Sequence, residues 1–287
     1  MTLVDPGPLA DIETREHGVV RSRPADGSLL EVPWDELVTA AGDPSCRLPD
    51  VALQRRIARW LRLRVALDEQ VHLNDEAEAE RARARIVSRV RPRALPLGHQ
   101  LHPGDSWTRR TVLGGSLDVG LALRGVDDDG RPDLDGVGLL PAGVLEATGI
   151  DLGLAVERAD VYLADMAALA GERLHRDPTA VLRPLGDADV LTLLASRTFR
   201  TALVDGQGMR SAAIPTQRRG WLDLGRIDPA FAVSASELTE PDERGFPRPV
   251  LITADEVTLV RPGGDAVRHS LADPAPAEQG RPARRRA

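Results

Sequence analysis

The sequence predicts an α+β protein: a helical, Arg-rich N-terminal segment followed by a mixed domain of short helices and antiparallel strands ending in a β-meander. Three observations lead there. Residues 50 to 93 carry apolar side chains at helical spacing amid dense charge. Residues 116 to 123 and 250 to 271 read as strands between Gly, Asp and Pro turn signals. The chain has 287 residues and is 42% hydrophobic, enough for a core, but only 3% aromatic, so that core is built mostly from Leu, Val and Ala.

In chain order, residues 1–32 hold Pro6, Pro8, Gly18, Pro24 and Gly27 and read as an irregular arm. It contains at most a strand pair around 18–20 and 29–32. Residues 33–94 form the helical charged segment. Its first helix, 34–41, stops at Gly42-Asp43-Pro44. The next starts where Asp50 caps the first turn, with Leu53, Ile57, Leu61 and Val65 every fourth residue and Trp60 and Leu67 beside them. Asn74 marks a break. Beyond it, Asp75, Glu76, Glu78 and Glu80 precede Arg81, Arg83, Arg85 and Arg89, so that Glu78 can pair with Arg81 and Glu80 with Arg83. The run is expected to end at Pro92.

Residues 95–271 form the α+β domain. Strands are expected at 111–113 and 116–123, then a polar excursion from Val126 to Gly136 and a short helix from Leu140-Pro141 to Gly149. Asp151 to Arg176 is a helix whose apolar face is read as Leu154, Val161, Met166, Leu169 and Leu174. A strand at 179–182, a helix capped by Asp187 and running to about Phe199, a turn at 205–208, a strand at 209–214 and a helix at 227–238 follow. Strands at 250–253, 257–260 and 266–271 make the meander. Residues 272–287, rich in Pro and Arg, are expected to be a disordered basic tail.

All 37 basic residues are Arg, a composition that high-GC genomes produce. With no Lys, Schiff-base enzymes, Walker-type hydrolases and ordinary protein kinases are excluded. Cys46 is the only cysteine, which removes internal disulfides and thiolate metal clusters and fits a reducing cytoplasm. The N-terminus lacks a signal-peptide pattern and no run approaches the ~20 apolar residues of a membrane span, so a cytoplasmic chain without membrane contact is expected. Net charge is −7, yet residues 51–110 hold 13 Arg against 7 acids.

Four patterns are candidates for chemistry. His99, His102 and Asp105 lie in a Gly- and Pro-containing loop and have the donor types that hold Zn or Fe. The run from Asp127 to Asp135 offers oxygens to Ca or Mg, but Arg131 and Pro132 interrupt the ligand spacing. Two arginine sets suit phosphates or carboxylates: Arg55, Arg56, Arg59, Arg62 and Arg64 on the helix, and Arg197, Arg200, Arg210, Arg218 and Arg219 around Gly206 and Gly208. Gly114-Gly115-Ser116-Leu117-Asp118 approaches a nucleophile elbow but lacks its last glycine and leads into a strand, which speaks against serine catalysis.

The leading functional expectation is a non-catalytic cytoplasmic binding or scaffold component, without a cofactor, that presents the Arg-rich helix to a protein partner. The alternative is a metal-dependent hydrolase or oxygenase using His99, His102 and Asp105, with Arg109 or Arg110 holding an anionic substrate. The third is phosphate or nucleic-acid binding by the Arg clusters.

Overall fold

The structure, a computed structural model, describes residues 11–24, 26–41, 50–223 and 229–260. The stop at Gly42-Asp43-Pro44, Cys46, the Asp50 side chain, the third meander strand and the 272–287 tail lie outside what is described.

The N-terminal arm is more regular than its sequence suggests. Strands β1 (Ile12–Arg15), β2 (Gly18–Ser22) and β3 (Leu29–Pro33) form a three-stranded antiparallel sheet. β1 escapes sequence reading because three of its four residues face solvent, leaving no apolar alternation. Gly18 is obligatory: a Cβ there would lie 2.1 Å from the Val32 carbonyl oxygen. The sheet buries Val19, Leu30 and Val32, and helix α1 (Trp34–Ala41) follows it.

Helix α2 (Asp50–Val71) is the centre of the molecule, and from Arg59 to Val65 it is buried on every side. Trp60, Leu63, Val65 and Leu67 are 0–2% exposed. Helix α3 (Glu76–Ser88) begins after the expected break, where the Asp75 carboxylate accepts from the Ala77 N–H at 2.9 Å. Arg83 pairs with Glu80, as expected, and with Glu76. The helix stops at Ser88, earlier than Pro92, because Val90–Pro96 is strand β4. Pro92 and Pro96 are tolerated there because β4 is an edge strand.

β5 (Arg109–Val112), β6 (Leu117–Val126) and β7 (Pro132–Leu139) complete that sheet. β6 pairs with β4 along one edge and successively with β5 and β7 along the other. The polar excursion is thus a hairpin. Its turn is organised by Asp127, whose carboxylate accepts from the N–H groups of Asp129 and Arg131 at 2.9 and 2.8 Å. A short helix α4 (Val144–Ala147) leads to α5 (Leu152–Arg176), capped by Asp151.

The buried face of α5 is not the one expected. It consists of Ala155, Ala159, Leu163, Ala167, Ala170 and Gly171, whereas Leu154, Val161 and Leu169 are 51%, 45% and 46% exposed. Small side chains let the helix lie close on its neighbours: a Cβ at Gly171 would sit 3.0 Å from that of Ala202. Met166 and Leu174 are partly buried against the same core.

The remaining elements are β8 (Val181–Leu182), α6 (Val190–Ala195), α7 (Arg197–Val204), β9 (Arg210–Thr216), β10 (Arg219–Leu222), α8 (Pro229–Leu238), β11 (Val250–Ile252) and β12 (Val257–Leu259). Five strands form an antiparallel sheet in the order β12-β11-β9-β10-β8, ending in the β11–β12 hairpin. The cap of α6 is Asp189, whose carboxylate accepts from the Thr192 N–H at 2.7 Å. Asp187 instead accepts from Arg91 Nε at 2.7 Å. The class is α+β, and among the described residues no helix is long and apolar enough to cross a membrane.

One buried ion triad ties the arm to α2. Asp68, 8% exposed at its side chain, accepts from Arg23 at 2.6 and 3.0 Å and from Arg64 at 3.1 Å. Burial pushes the Asp68 carboxyl up, but the two guanidinium groups outweigh it and hold it below its ordinary 3.8. Asp68→Asn is expected to cost about 3–5 kcal/mol at neutral pH by urea unfolding, since two cations lose their partner. A depressed carboxyl contributes stability above its unfolded value and loses it as the pH falls through its folded one. The variant should therefore lose less stability than the wild type as the pH falls below 3.8.

Candidate functional site

Two separately noticed sequence features come together in one cleft. After β4 the chain turns at Gly98, with the His99 N–H donating to the Pro96 carbonyl at 3.0 Å and the His102 N–H to that of His99 at 3.0 Å. This loop lies along the first half of α2 and encloses with it a cavity of about 640 Å³. Arg55, Arg56, Arg59 and Arg109 line it with His99 and His102, and Asp118 is the one acid lining it among the described residues. Val51, Ala52 and Leu97 add an apolar wall, with Val51 76% and Leu97 68% exposed at the rim.

Most of these cations are already engaged. Arg55 donates from Nε to Asp129 at 2.6 Å and from Nη1 and Nη2 to Asp242 at 3.1 and 2.7 Å; the Asp242 pairing, ahead of Asp129, raises its pKa despite burial. Arg56 donates to the carbonyls of Ala41 and His102 at 3.1 and 2.5 Å, tying the loop to the helix. Arg109 donates to Asp118 at 3.0 Å and to the Gly104 carbonyl at 2.8 Å.

Arg59 differs. It is 1% exposed and has no ion pair among the described residues. Nη1 makes one long bond, 3.4 Å, to the Leu101 carbonyl, and Nε has no hydrogen-bond partner. Burial lowers its pKa to about 10, which leaves it charged at neutral pH. The neighbouring carboxylates Asp128 and Asp129 soften that shift from a distance while Arg55 and Arg93 add to it.

The histidines are turned to structural bonds. His102 Nδ1 accepts from the Gly104 N–H at 2.9 Å, so Nε2 carries the proton of the neutral ring and donates to Asp118 at 2.8 Å. Asp118, 1% exposed, also accepts from Thr111 at 2.5 Å. His99 Nδ1 accepts from the Leu101 N–H at 3.2 Å, while its ring also bonds the Arg244 backbone and lies 3.4 Å from the Gln217 amide. The His102 ring is thereby bonded at both nitrogens and the His99 ring at Nδ1. Among the described residues no three His, Cys, Asp or Glu are grouped to hold a metal; the Asp105 side chain lies outside the described residues.

The other sequence candidates are dispersed. Arg62 donates to the Asp129 carbonyl at 2.9 Å and Arg64 to Asp68 at 3.1 Å, each 8% exposed, so neither is presented outward. Arg210 pairs with Asp223 and Arg197 with Asp255, and buried Arg200 donates to the Leu194, Ala195 and Ala254 carbonyls. Arg218 and Arg219 are exposed. The second arginine set therefore does not converge around Gly206 and Gly208. Gly114 and Gly115 form a turn ahead of β6, as expected. Of the cleft residues, the sequence reading missed Asp118; its signal was an acid set in the apolar strand Leu117, Val119, Leu121.

Comparison of the chain with protein-family models, curated proteins and solved structures finds no match.

Burial, ahead of the nearby Arg93 cation, lowers the His99 pKa to about 4, and burial lowers that of His102 despite the Asp118 hydrogen bond. In an NMR titration the ring signals of His99 are expected to stay constant through pH 6.5, the ordinary midpoint, and to move only near about 4. Because the folded value is depressed, an unfolded chain takes up this proton first. Stability contributed by neutral His99 is complete above pH 6.5 and falls as the solution is acidified towards about 4.

Proposed function

We propose that the protein is a non-catalytic binding protein for a small organic anion, one bearing a phosphate or carboxylate, held in the cleft between α2 and the 97–109 loop. The observation that carries this reading is Arg59: a charged guanidinium 1% exposed, lining a cavity of about 640 Å³, with Nε unpartnered. An unpaired buried cation costs several kcal/mol, and an anion in the cavity lowers that cost by bringing an opposite charge beside it. The cavity size and its apolar rim suit an organic ligand with one anionic group.

This reading narrows the phosphate-binding expectation. A protein partner docked on the Arg-rich face is less well supported, since Arg59, Arg62 and Arg64 are buried. Nucleic acid needs cations along an exposed surface, whereas Arg59, Arg62 and Arg64 are buried. Acid-base or metal chemistry at His102 requires breaking one of the bonds that occupy both its ring nitrogens.

Thermal or urea unfolding in the presence of pyrophosphate and of citrate tests the reading. At about 100 times the dissociation constant a bound anion adds about 2.7 kcal/mol to stability. Arg59→Met is expected to abolish that gain while leaving the ligand-free protein as stable as the wild type or more so, because an unpaired charge is replaced by an apolar group of similar length. A gain retained in Arg59→Met, or stabilisation by zinc and by neither anion, contradicts it.

A further inference from the structure

Helix α5 has two apolar faces, and the fold uses one. Opposite the buried alanine face lie Leu154, Val161 and Leu169, 51%, 45% and 46% exposed, with Arg158, Asp165 and Ala168 exposed between them. Positions 154, 158, 161 and 165 advance by alternating steps of four and three, the spacing of a seam between two helices, and Leu169 follows one turn on. Two other charges on this helix are engaged within the chain, Asp160 with Arg110 at 2.7 Å and Glu172 with Arg176 at 3.8 Å, while exposed Glu157 beside the stripe has no ion pair among the described residues. Arg158 and Asp165 form no ion pair or side-chain hydrogen bond among the described residues.

The order of residues along this stripe says what fits it. It reads Leu154, Arg158, Val161, Asp165, Leu169, and read backwards it is the same series with the charges exchanged. An antiparallel copy of the same helix therefore sets Leu154 against the partner's Leu169, Arg158 against the partner's Asp165, and the two Val161 side chains near the axis. A two-fold interface requires such a self-complementary patch, whereas a parallel copy would oppose Arg to Arg and Asp to Asp. We infer that α5 is a homodimer interface, pairing antiparallel with α5 of a second copy about a two-fold axis near Val161. The seam is short, about 23 Å at 1.5 Å per residue. The dimer is therefore reversible and concentration-dependent rather than obligate.

Sedimentation velocity of the full chain over a range of concentrations tests this, beside Arg158→Asp and Asp165→Arg. The wild type is expected to show a monomer–dimer equilibrium. Each variant alone weakens it by about tenfold or more, since each brings like charges together twice across the axis. An equimolar mixture of the two variants restores dimerisation, because the heterodimer regains both opposite-charge pairs. Both side chains are exposed, and circular dichroism checks that each variant is folded. A wild type that stays monomeric at the highest concentration overturns the proposal. So do single variants that dimerise like the wild type, a mixture that fails to restore association, or a dimer that responds to removal of residues 261–287 but not to the charge reversals.

Discussion

A positive charge held inside the protein without an ion pair among the described residues is the constraint on which the rest of the site depends. Arg59 sits on the most buried stretch of α2, one residue before Trp60. Every other arginine on that helix has found oxygen: Arg55 in Asp129 and Asp242, Arg56 in the Ala41 and His102 carbonyls, Arg62 in the Asp129 carbonyl, Arg64 in Asp68. The guanidinium fork makes this possible, since one side chain can reach two acceptors on separate segments. α2 thereby fixes the N-terminal arm, the β6–β7 turn, the 97–109 loop and the segment at Asp242. Its arginines are the fold's internal ties, and the cleft is the place where one tie is missing.

The wall of the cleft facing α2 is held by one buried acid. Asp118 collects His102, Arg109 and Thr111 and so fixes the loop's outer wall. A neutral His102 ring bonded at both nitrogens holds the shape of that wall.

Much of the fold was legible where local chemistry decides it. The break near Asn74, the helix from Asp151 to Arg176, the strand read at 116–123 and the β11–β12 hairpin follow from periodicity and turn residues that act within a few positions. What escaped was set by distant partners. β7 looks like a loop because Pro132, Asp133 and Asp135 are turn residues, and only pairing with β6 makes it a strand. Val90 to Arg93 look like the end of a charged helix, yet Arg91 and Arg93 find Asp187 and Asp128 across the sheet. The α5 face was misjudged because large apolar residues were taken as core when close approach selects alanine and glycine. At the site, the residue types were visible: Arg59, His99 and His102 stood out. That they share one cavity, and that Arg59 has no ion pair among the described residues, is a property of tertiary contacts no spacing rule encodes.

The most direct measurement of the account is the ¹⁵N NMR signal of the Arg59 Nε–H group, assigned through the loss of that peak in Arg59→Met, during titration with pyrophosphate. Nε has no acceptor among the described residues, so the account predicts that this peak moves as the anion's charge enters the cleft beside it, at a pH well below about 10. A peak that stays fixed while anion binding is detected elsewhere on the protein would contradict it.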